Sequence, residues 1–173
     1  MTTNKMQEIL VEKVTVNIGV GSPGERLDYA KELLSKLTER KPIETKAKKR
    51  NPVWKLRAGL PIGVKVTLRG KSAHDFLGNA LIARRKPLSS GNFDKTGNFS
   101  FGVAEYIDFP GAKYDPRIGM FGFDVCVTLS RRGKRVEYRR LRPSTIGKTQ
   151  RISKQESMEF AKTKLKAKIE EPV

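Results

Sequence analysis

Cysteine and histidine each occur only once among the 173 residues of this chain. A lone cysteine, Cys126, cannot form an internal disulfide and is typical of proteins from a reducing compartment. With His74 as the one histidine, cysteine and histidine ligands cannot assemble a zinc site, and we predict neither a metal nor a cofactor. Long apolar runs are missing as well, both at the amino terminus, where a signal peptide would lie, and further along, where a membrane span would lie. We therefore expect a soluble, cytoplasmic protein.

Acidic residues are also scarce, with 18 Asp and Glu against 36 Lys and Arg, so that the formal net charge is +18. No pair of carboxylates stands out as the metal site of a nuclease. Neither a Ser–His–acid nor a Cys–His arrangement can be argued from the sequence, and we predict that the chain is not an enzyme. So large an excess of cations favours a polyanionic partner, and nucleic acid above others.

The cations concentrate in two stretches, which we call the first basic loop (residues 45–59) and the second basic segment (residues 131–151). Six phosphate contacts from the first basic loop would lower the affinity about a thousandfold between roughly 50 and 200 mM salt. Trp54 in this loop either stacks on a nucleotide or pins the loop to the body of the protein. A membrane surface is less favoured, because membrane-surface proteins usually carry their cations on one face of an amphipathic helix.

Alternating apolar residues predict strands over 13–20, 62–69, 99–104 and 123–130, with a shorter strand at 42–46. Helical spacing predicts a first helix that is capped by Ser22, with Pro23 at its first position and Glu25 in a capping box. A second helix is predicted to start near Ser72 and to end before Pro87, and a third starts in a capping box at 153–156.

These elements predict one α+β domain over residues 1–173, a two-layer sandwich of a mainly antiparallel sheet with helices on one face. Phe99 and Phe101 belong to the core in this arrangement rather than to a base-stacking surface. The other face of the sheet would be open and polar. It would be either an ordinary solvated surface or a platform for RNA, and the neighbouring basic stretches favour RNA. The predicted residues of this face are Lys13, Thr15, Asn17, Lys65, Thr67 and Arg69.

A glycine pattern, Gly19-x-Gly21-x-x-Gly24, lies between a predicted strand and helix, where a dinucleotide-binding fingerprint would lie. Glu44 even falls near the position of a ribose-binding acid. However, Pro23 lacks the N–H that a phosphate-binding turn uses. The next strand also leads into a basic loop and another strand, so the repeated βαβ units are missing. A dinucleotide-dependent enzyme is therefore only an alternative interpretation.

Three long stretches of the chain resemble one known family. They are KVTVNIGVG, KPIETKAKKRNPVWKLRAGLPIGVKVTLRG and NFDKTGNFSFGVAEYIDFPGAKYDPRIGMFGFDVCVTL, and they resemble the archaeal form of the large-subunit ribosomal protein family numbered five. The resemblance implies a structural protein that binds 5S rRNA and attaches it to the large subunit in the central protuberance. It also implies contacts with 23S rRNA, neighbouring 5S-binding proteins, the P-site tRNA and small-subunit protein thirteen across an intersubunit bridge. The alternative is an RNA-binding factor outside the ribosome.

The resemblance and the charge pattern together predict two groups of binding residues. Arg40 stands where many family members carry a glutamine, and we expect it to replace that residue's RNA contact. The predicted rRNA-binding residues are Lys13, Thr15, Asn17, Arg40, Lys65, Thr67, Arg69, Arg139, Arg140 and Arg142. The predicted tRNA-contacting loop comprises Lys46, Lys48, Lys49, Arg50, Trp54, Lys55 and Arg57.

Overall fold

Five strands form a single antiparallel sheet in the computed structural model, which describes residues 4–170. The order across the sheet is β2-β3-β1-β5-β4, so that the longest strand is central. The strands are β1 (Ile9–Gly19), β2 (Ile43–Lys46), β3 (Pro61–Leu68), β4 (Phe99–Val103) and β5 (Phe123–Arg131). Each predicted strand is present, and β1 begins four residues before its predicted start.

Helices cover the apolar side of this sheet, and three of the four α-helices within residues 4–170 contribute buried side chains. The α-helices are α1 (Glu25–Thr38), α2 (Lys71–Ala83), α3 (Arg135–Tyr138) and α4 (Lys154–Thr163). Single 3₁₀ turns lie at Lys5–Gln7, Ser90–Asn92, Tyr106–Asp108 and Lys148–Gln150. The helix α3 lies inside the second basic segment and was not predicted, because four residues are too few to show a helical period. No helix within residues 4–170 is long and apolar enough to cross a membrane.

The predicted alternation of the strands is confirmed by their burial. Val14 and Val16 of β1 are fully buried, and so is Val125 of β5. The same core contains apolar residues of α1 and α2. Phe99 and Phe101 are 2% and 3% exposed, which confirms that they belong to the core. The α+β sandwich with helices on one face of an antiparallel sheet is therefore correct.

The predicted start of the first helix is wrong. Helix α1 begins at Glu25, its N-cap is Gly24 with φ 130°, and no side chain among the described residues caps it. The turn that precedes the helix uses a backbone conformation that glycine adopts readily, so the chain enters the helix later than a serine cap would allow. Helix α2 begins at Lys71, which confirms its predicted start near Ser72; its N-cap is Gly70 with φ 63°, and within residues 4–170 no side chain caps it.

The third predicted helix start is confirmed by its capping box. The Glu156 N–H of α4 donates to Ser153 Oγ at 3.3 Å, and the Ser153 N–H donates to Glu156 Oε2 at 2.9 Å. These two bonds satisfy two backbone donors that a helix start otherwise leaves unpaired.

The glycine pattern between β1 and α1 does not belong to a dinucleotide-binding fold. Both neighbours of β1 are antiparallel to it, so the parallel βαβ unit that such a site needs is missing from residues 4–170. The carboxylate of Glu44 is paired with Lys31 Nζ at 2.7 Å and ties β2 to α1. The alternative of a doubly wound sheet is therefore wrong.

Gly63 lies where two backbones approach each other closely. It pairs with Gly19 across β3 and β1. A Cβ atom at position 63 would lie 2.7 Å from the carbonyl oxygen of Ile18 and 2.8 Å from Oγ1 of Thr45. Gly78 in α2 is the opposite case, because a Cβ atom there would meet nothing within 4 Å.

We expect Gly63→Ala and Gly78→Ala to change stability in opposite directions. The first forces β1 and β3 apart and should cost about 1–3 kcal/mol. The second removes a glycine from an exposed helix interior and should stabilise by about 0.5–1 kcal/mol. Urea unfolding followed by circular dichroism measures both. Equal stability of the two variants would contradict the close packing at position 63.

Candidate nucleic-acid interface

The polar face of the sheet is formed by outward-pointing residues that stand opposite one another on adjacent strands. Thr15 of β1 is paired with Thr67 of β3, and Asn17 is paired with Lys65. The two β3 residues are exposed, whereas Thr15 and Asn17 are half-buried between their neighbours. Hydroxyl, amide and ammonium groups thus form two adjacent rows on the side of the sheet opposite to helices α1 and α2.

The remaining predicted residues of this face lie at its end. Lys13 is half-buried and stands opposite Thr128 of β5, and Arg69 follows β3 directly and is exposed. Arg40 is exposed as well, two residues past the end of α1 and shortly before β2. It therefore lies on the chain between α1 and the β2 edge of the sheet.

A β-bulge at Glu12 connects the polar face to the second basic segment. The pairing of β1 with β5 shifts between Val11 and Lys13, which leaves Glu12 as the extra residue. Its carboxylate pairs with Lys134 Nζ at 2.8 Å and lies 4.0 Å from the guanidinium of Arg69. Burial disfavours the charge of Lys134, but hydrogen bonds to Glu12 and Tyr138 outweigh it, so the pKa of Lys134 is raised. The bulge thus holds a charged lysine beside the sheet.

Two kinds of arginine occur in the second basic segment. Arg139, Arg140 and Arg142 follow α3 and are exposed. Arg131 is different, because its side chain is only 11% exposed, and it donates to Glu156 at 2.6 Å and to the Thr149 carbonyl at 3.0 Å. Arg131 therefore holds the segment against α4, while the other three are available to a partner.

The first basic loop is an ordered hairpin that extends β2 and β3. The Ala47 N–H donates to the Leu60 carbonyl at 2.8 Å, and Asn51 and Leu56 exchange two backbone hydrogen bonds of 3.0 and 2.9 Å. Lys55 has φ 53° and closes the turn at the tip. All six cations of the loop are exposed. They are Lys46, Lys48, Lys49, Arg50, Lys55 and Arg57.

Trp54 lies at the tip of this hairpin and is 71% exposed, beside Val53 at 84%. Of the two roles considered for Trp54, pinning the loop to the body is wrong, because the side chain is mostly exposed and lies outside the core formed within residues 4–170. Val53 and Trp54 together form a small exposed apolar patch at the end of the cationic hairpin.

Outward-pointing residues of β5 and β4 complete the polar face and were left out of the predicted site. Asp124 stands opposite Asn17, and Cys126 stands between Thr15 and Ser100. The alternation that revealed Asn17 also holds in β5 and would have revealed these positions. Burial, and to a smaller extent the nearby Asp124, raises the pKa of the Cys126 thiol, which keeps it protonated and unreactive.

The structure brings no metal-binding or nucleophilic cluster together in the part it describes. Within residues 4–170, no three His, Cys, Asp or Glu side chains lie close enough to hold a metal ion. His74 is exposed on α2 and is not among the residues of the polar face. The arrangement can hold an extended anion by hydrogen bonds and charge.

The described residues thus form an open polar sheet with two cationic extensions, and sequence comparison gives the family of the chain. The sequence profile described as "Ribosomal protein L5" matches residues 4–57, and the profile for the C-terminus of the same ribosomal family matches residues 61–160. The chain belongs to this family of large-subunit ribosomal proteins.

Individual relatives match over nearly the whole chain. The chain is 48% identical over 167 residues to large ribosomal subunit protein uL5 of Methanococcus maripaludis (strain C6 / ATCC BAA-1332). The matched region covers 95% of this chain and 92% of the relative. It is 50% identical over 171 residues to the uL5 protein of Sulfurisphaera tokodaii, covering 98% and 97% of the two chains. For the uL5 protein of Methanosphaera stadtmanae the identity is 45% over 167 residues, covering 96% and 99%.

Family membership confirms the predicted resemblance to the archaeal form and decides between the ribosomal interpretation and its alternatives. The chain is an rRNA-binding component of the large ribosomal subunit, a cytoplasmic particle that acts in translation. Its relatives are structural proteins of the ribosome rather than enzymes. The comparisons support neither of the two alternative interpretations, an RNA-binding factor outside the ribosome or a dinucleotide-dependent enzyme.

The pair of Arg131 and Glu156 predicts a pH-dependent contribution to stability. The backbone N–H of Ser153 holds the pKa of the Glu156 carboxyl below its usual value, and Arg131 acts in the same direction. A depressed carboxyl pKa stabilises the fold above the unfolded pKa, near 4.5, and this stability is lost as the pH falls through the folded pKa. Glu156→Gln keeps a capping-box side chain but removes the charge.

We expect Glu156→Gln to lower the free energy of unfolding by about 1 kcal/mol at pH 7 and by progressively less below pH 4.5. Thermal melts of wild type and variant between roughly pH 3 and 7 measure the difference. Glu159→Gln is the matched control, because Glu159 is an exposed carboxylate on the same helix. A difference that stays constant with pH would contradict the role of the Glu156 charge.

Proposed function

We propose that this protein binds 5S rRNA through the polar face of its sheet and attaches it to the large subunit in the central protuberance. The observation that carries the proposal is the pair of adjacent rows in which Thr15 and Asn17 stand opposite Thr67 and Lys65. Hydroxyl and amide groups donate and accept hydrogen bonds with bases and 2′-hydroxyls, while the lysine neutralises phosphate. A flat, exposed surface of this kind fits the shape of an RNA backbone better than it fits a small molecule.

Cations at one end of the face support RNA over an ordinary solvated sheet. Arg69 lies at its end beside the Glu12 bulge, and Lys134 is held there by the same carboxylate. The second basic segment continues from this point with the exposed Arg139, Arg140 and Arg142. We assign these arginines to rRNA, because guanidinium groups bind phosphate in a fixed geometry and retain their charge.

The first basic loop is a separate contact in this proposal. Its hairpin places Val53 and Trp54 at the tip, with the exposed cations behind them. A cationic stem with an exposed aromatic ring at its end is suited to a nucleic acid that approaches from outside the subunit, because the ring can stack while the stem binds phosphate. We propose the P-site tRNA as this partner.

The other contacts in this proposal are those that the resemblance to the ribosomal family implies. We propose that it also touches 23S rRNA, neighbouring 5S-binding proteins and small-subunit protein thirteen across an intersubunit bridge. The function is positional, without catalysis. Its affinity for RNA should fall steeply with salt, since many phosphates are neutralised at once.

Asn17→Ala combined with Thr67→Ala should weaken 5S rRNA binding about tenfold or more, because two hydrogen-bonding groups at the centre of the face are removed. The melting temperature should change little, since both groups are partly or fully exposed. Filter binding and thermal melts measure these quantities. Ser35→Ala combined with Asn79→Ala on the helical layer removes the same chemistry elsewhere and should bind like wild type. Unchanged binding by the first variant would refute the assignment of the sheet face.

Replacement of Lys48, Lys49 and Arg50 by serine should spare 5S rRNA binding and weaken the contact with tRNA on assembled ribosomes. Hydroxyl-radical footprinting of P-site tRNA measures the contact. A matched variant replaces Lys71, Lys113 and Arg117, three exposed cations on the helical side, and should leave the footprint intact. A wild-type footprint from the first variant would remove the loop from the tRNA contact.

A further inference from the structure

Asp124 is an acidic residue at the centre of a face that is otherwise neutral or basic. It lies on β5 directly opposite Asn17 of β1, which in turn is opposite Lys65 of β3. On the other side its partner is Gly102 of β4. Lysine, amide, carboxylate and glycine therefore form one straight row across four strands.

The carboxylate of Asp124 is free to accept hydrogen bonds. It is exposed, and within residues 4–170 it makes neither a hydrogen bond nor an ion pair. By contrast, Glu12 and Glu44 have lysine partners. Gly102 adds no side chain beside Asp124, and a Cβ atom there would lie 3.4 Å from Asp124 Oδ1. The exposed carboxylate is thus accessible from above the sheet.

An unpaired carboxylate on an RNA-binding face repels phosphate, so it is compatible with bound RNA only where it meets hydrogen-bond donors. Among the bases, guanine presents two adjacent donors on its Watson–Crick edge, N1–H and the N2 amino group, which match the two oxygens of one carboxylate. Such a bidentate, charge-assisted pair is stronger and more specific than a single neutral hydrogen bond. Unstacked bases of RNA are commonly read on this edge.

We propose that Asp124 reads the Watson–Crick edge of an unpaired guanine in the RNA bound to the polar face. Asn17 lies beside it as a second polar group for the same base, and Lys65 lies two strands away, about 10 Å along the row. That spacing lets the lysine bind a phosphate of the nucleotide whose base contacts Asp124. The face therefore contains a base-specific site as well as a general site for the RNA backbone. This inference rests on the proposed binding of 5S rRNA.

The charge-neutral variant Asp124→Asn gives the first test, because the two possible roles of the carboxylate predict changes of opposite sign. If the carboxylate reads guanine, the variant should bind 5S rRNA about tenfold more weakly in filter binding. Its salt dependence should match that of wild type, since no phosphate contact is lost. Asp75→Asn on the opposite layer changes the net charge equally and should bind like wild type. Equal or tighter binding by Asp124→Asn would overturn the proposal, because it would mean that the carboxylate only repels RNA.

Nucleotide substitution tests the same contact without relying on the folding of a variant. Inosine lacks the N2 amino group of guanosine. When the guanosines of 5S rRNA are replaced by inosine one at a time, the replacement at one position should weaken binding to the wild-type protein. At that position Asp124→Asn should show no further loss. An inosine substitution that weakens binding equally in wild type and in Asp124→Asn reports on RNA structure rather than on the contact with Asp124. If every inosine effect is equal in the two proteins, the proposal fails.

Two other results would also overturn the guanine site and have different meanings. In the first, a 2′-deoxy substitution in the RNA weakens binding to wild type but not to Asp124→Asn, and no inosine substitution does so. This result would show that the carboxylate accepts a hydrogen bond from a ribose hydroxyl. Failure of wild type to bind unmodified 5S rRNA would refute the proposed function itself. Normal binding by wild type together with no effect at Asp124 would refute only the base-specific site.

Discussion

The alternation of β1 from Lys13 to Ile18 is the constraint on which the rest of the structure depends. As the central strand it pairs with β3 and β5, and its residues alternate between a fully buried side and a polar side. A shift of one residue in either pairing would place Val14 and Val16 in solvent and Asn17 in the core. The burial of the valines therefore fixes the register, and the register in turn aligns Asn17 with Lys65 and Asp124. Packing on one face determines the chemistry of the other.

The same logic explains which features could be predicted from the sequence. A period of two residues reports directly on the two faces of a strand, so the fold class and the polar positions of β1 and β3 were predictable. The start of α1 was not predictable, because Ser22 and Glu25 are compatible with a capping box. The observed start at Glu25 depends on the backbone φ of Gly24, which the sequence does not reveal. The bulge at Glu12 was equally hidden, since an inserted residue is visible only when two strands are compared.

The candidate site was predicted less completely than the fold. Charge alone located both basic stretches, but it did not distinguish the structural Arg131 from the exposed Arg139 and Arg142. The structural role of Arg131 depends on Glu156, which lies 25 residues away along the chain. It also drew attention away from β5, whose outward residues are neutral or acidic. Asp124 and Cys126 belong to the same surface as Asn17, although they add nothing to its positive charge.

Acidic residues have a defined distribution in this basic protein, and it bears on function. Several carboxylates connect elements: Glu44 joins β2 to α1, Glu12 joins β1 to the second basic segment, and Glu156 joins α4 to β5. Each connection orients cations while neutralising one of them, so the remaining positive charge stays on the loops and at the ends of the polar face. A protein that carried its cations without these ties would bind RNA by charge but without a fixed geometry. The few acids therefore convert a high net charge into a shaped surface, and this is what the placement of a ribosomal RNA requires.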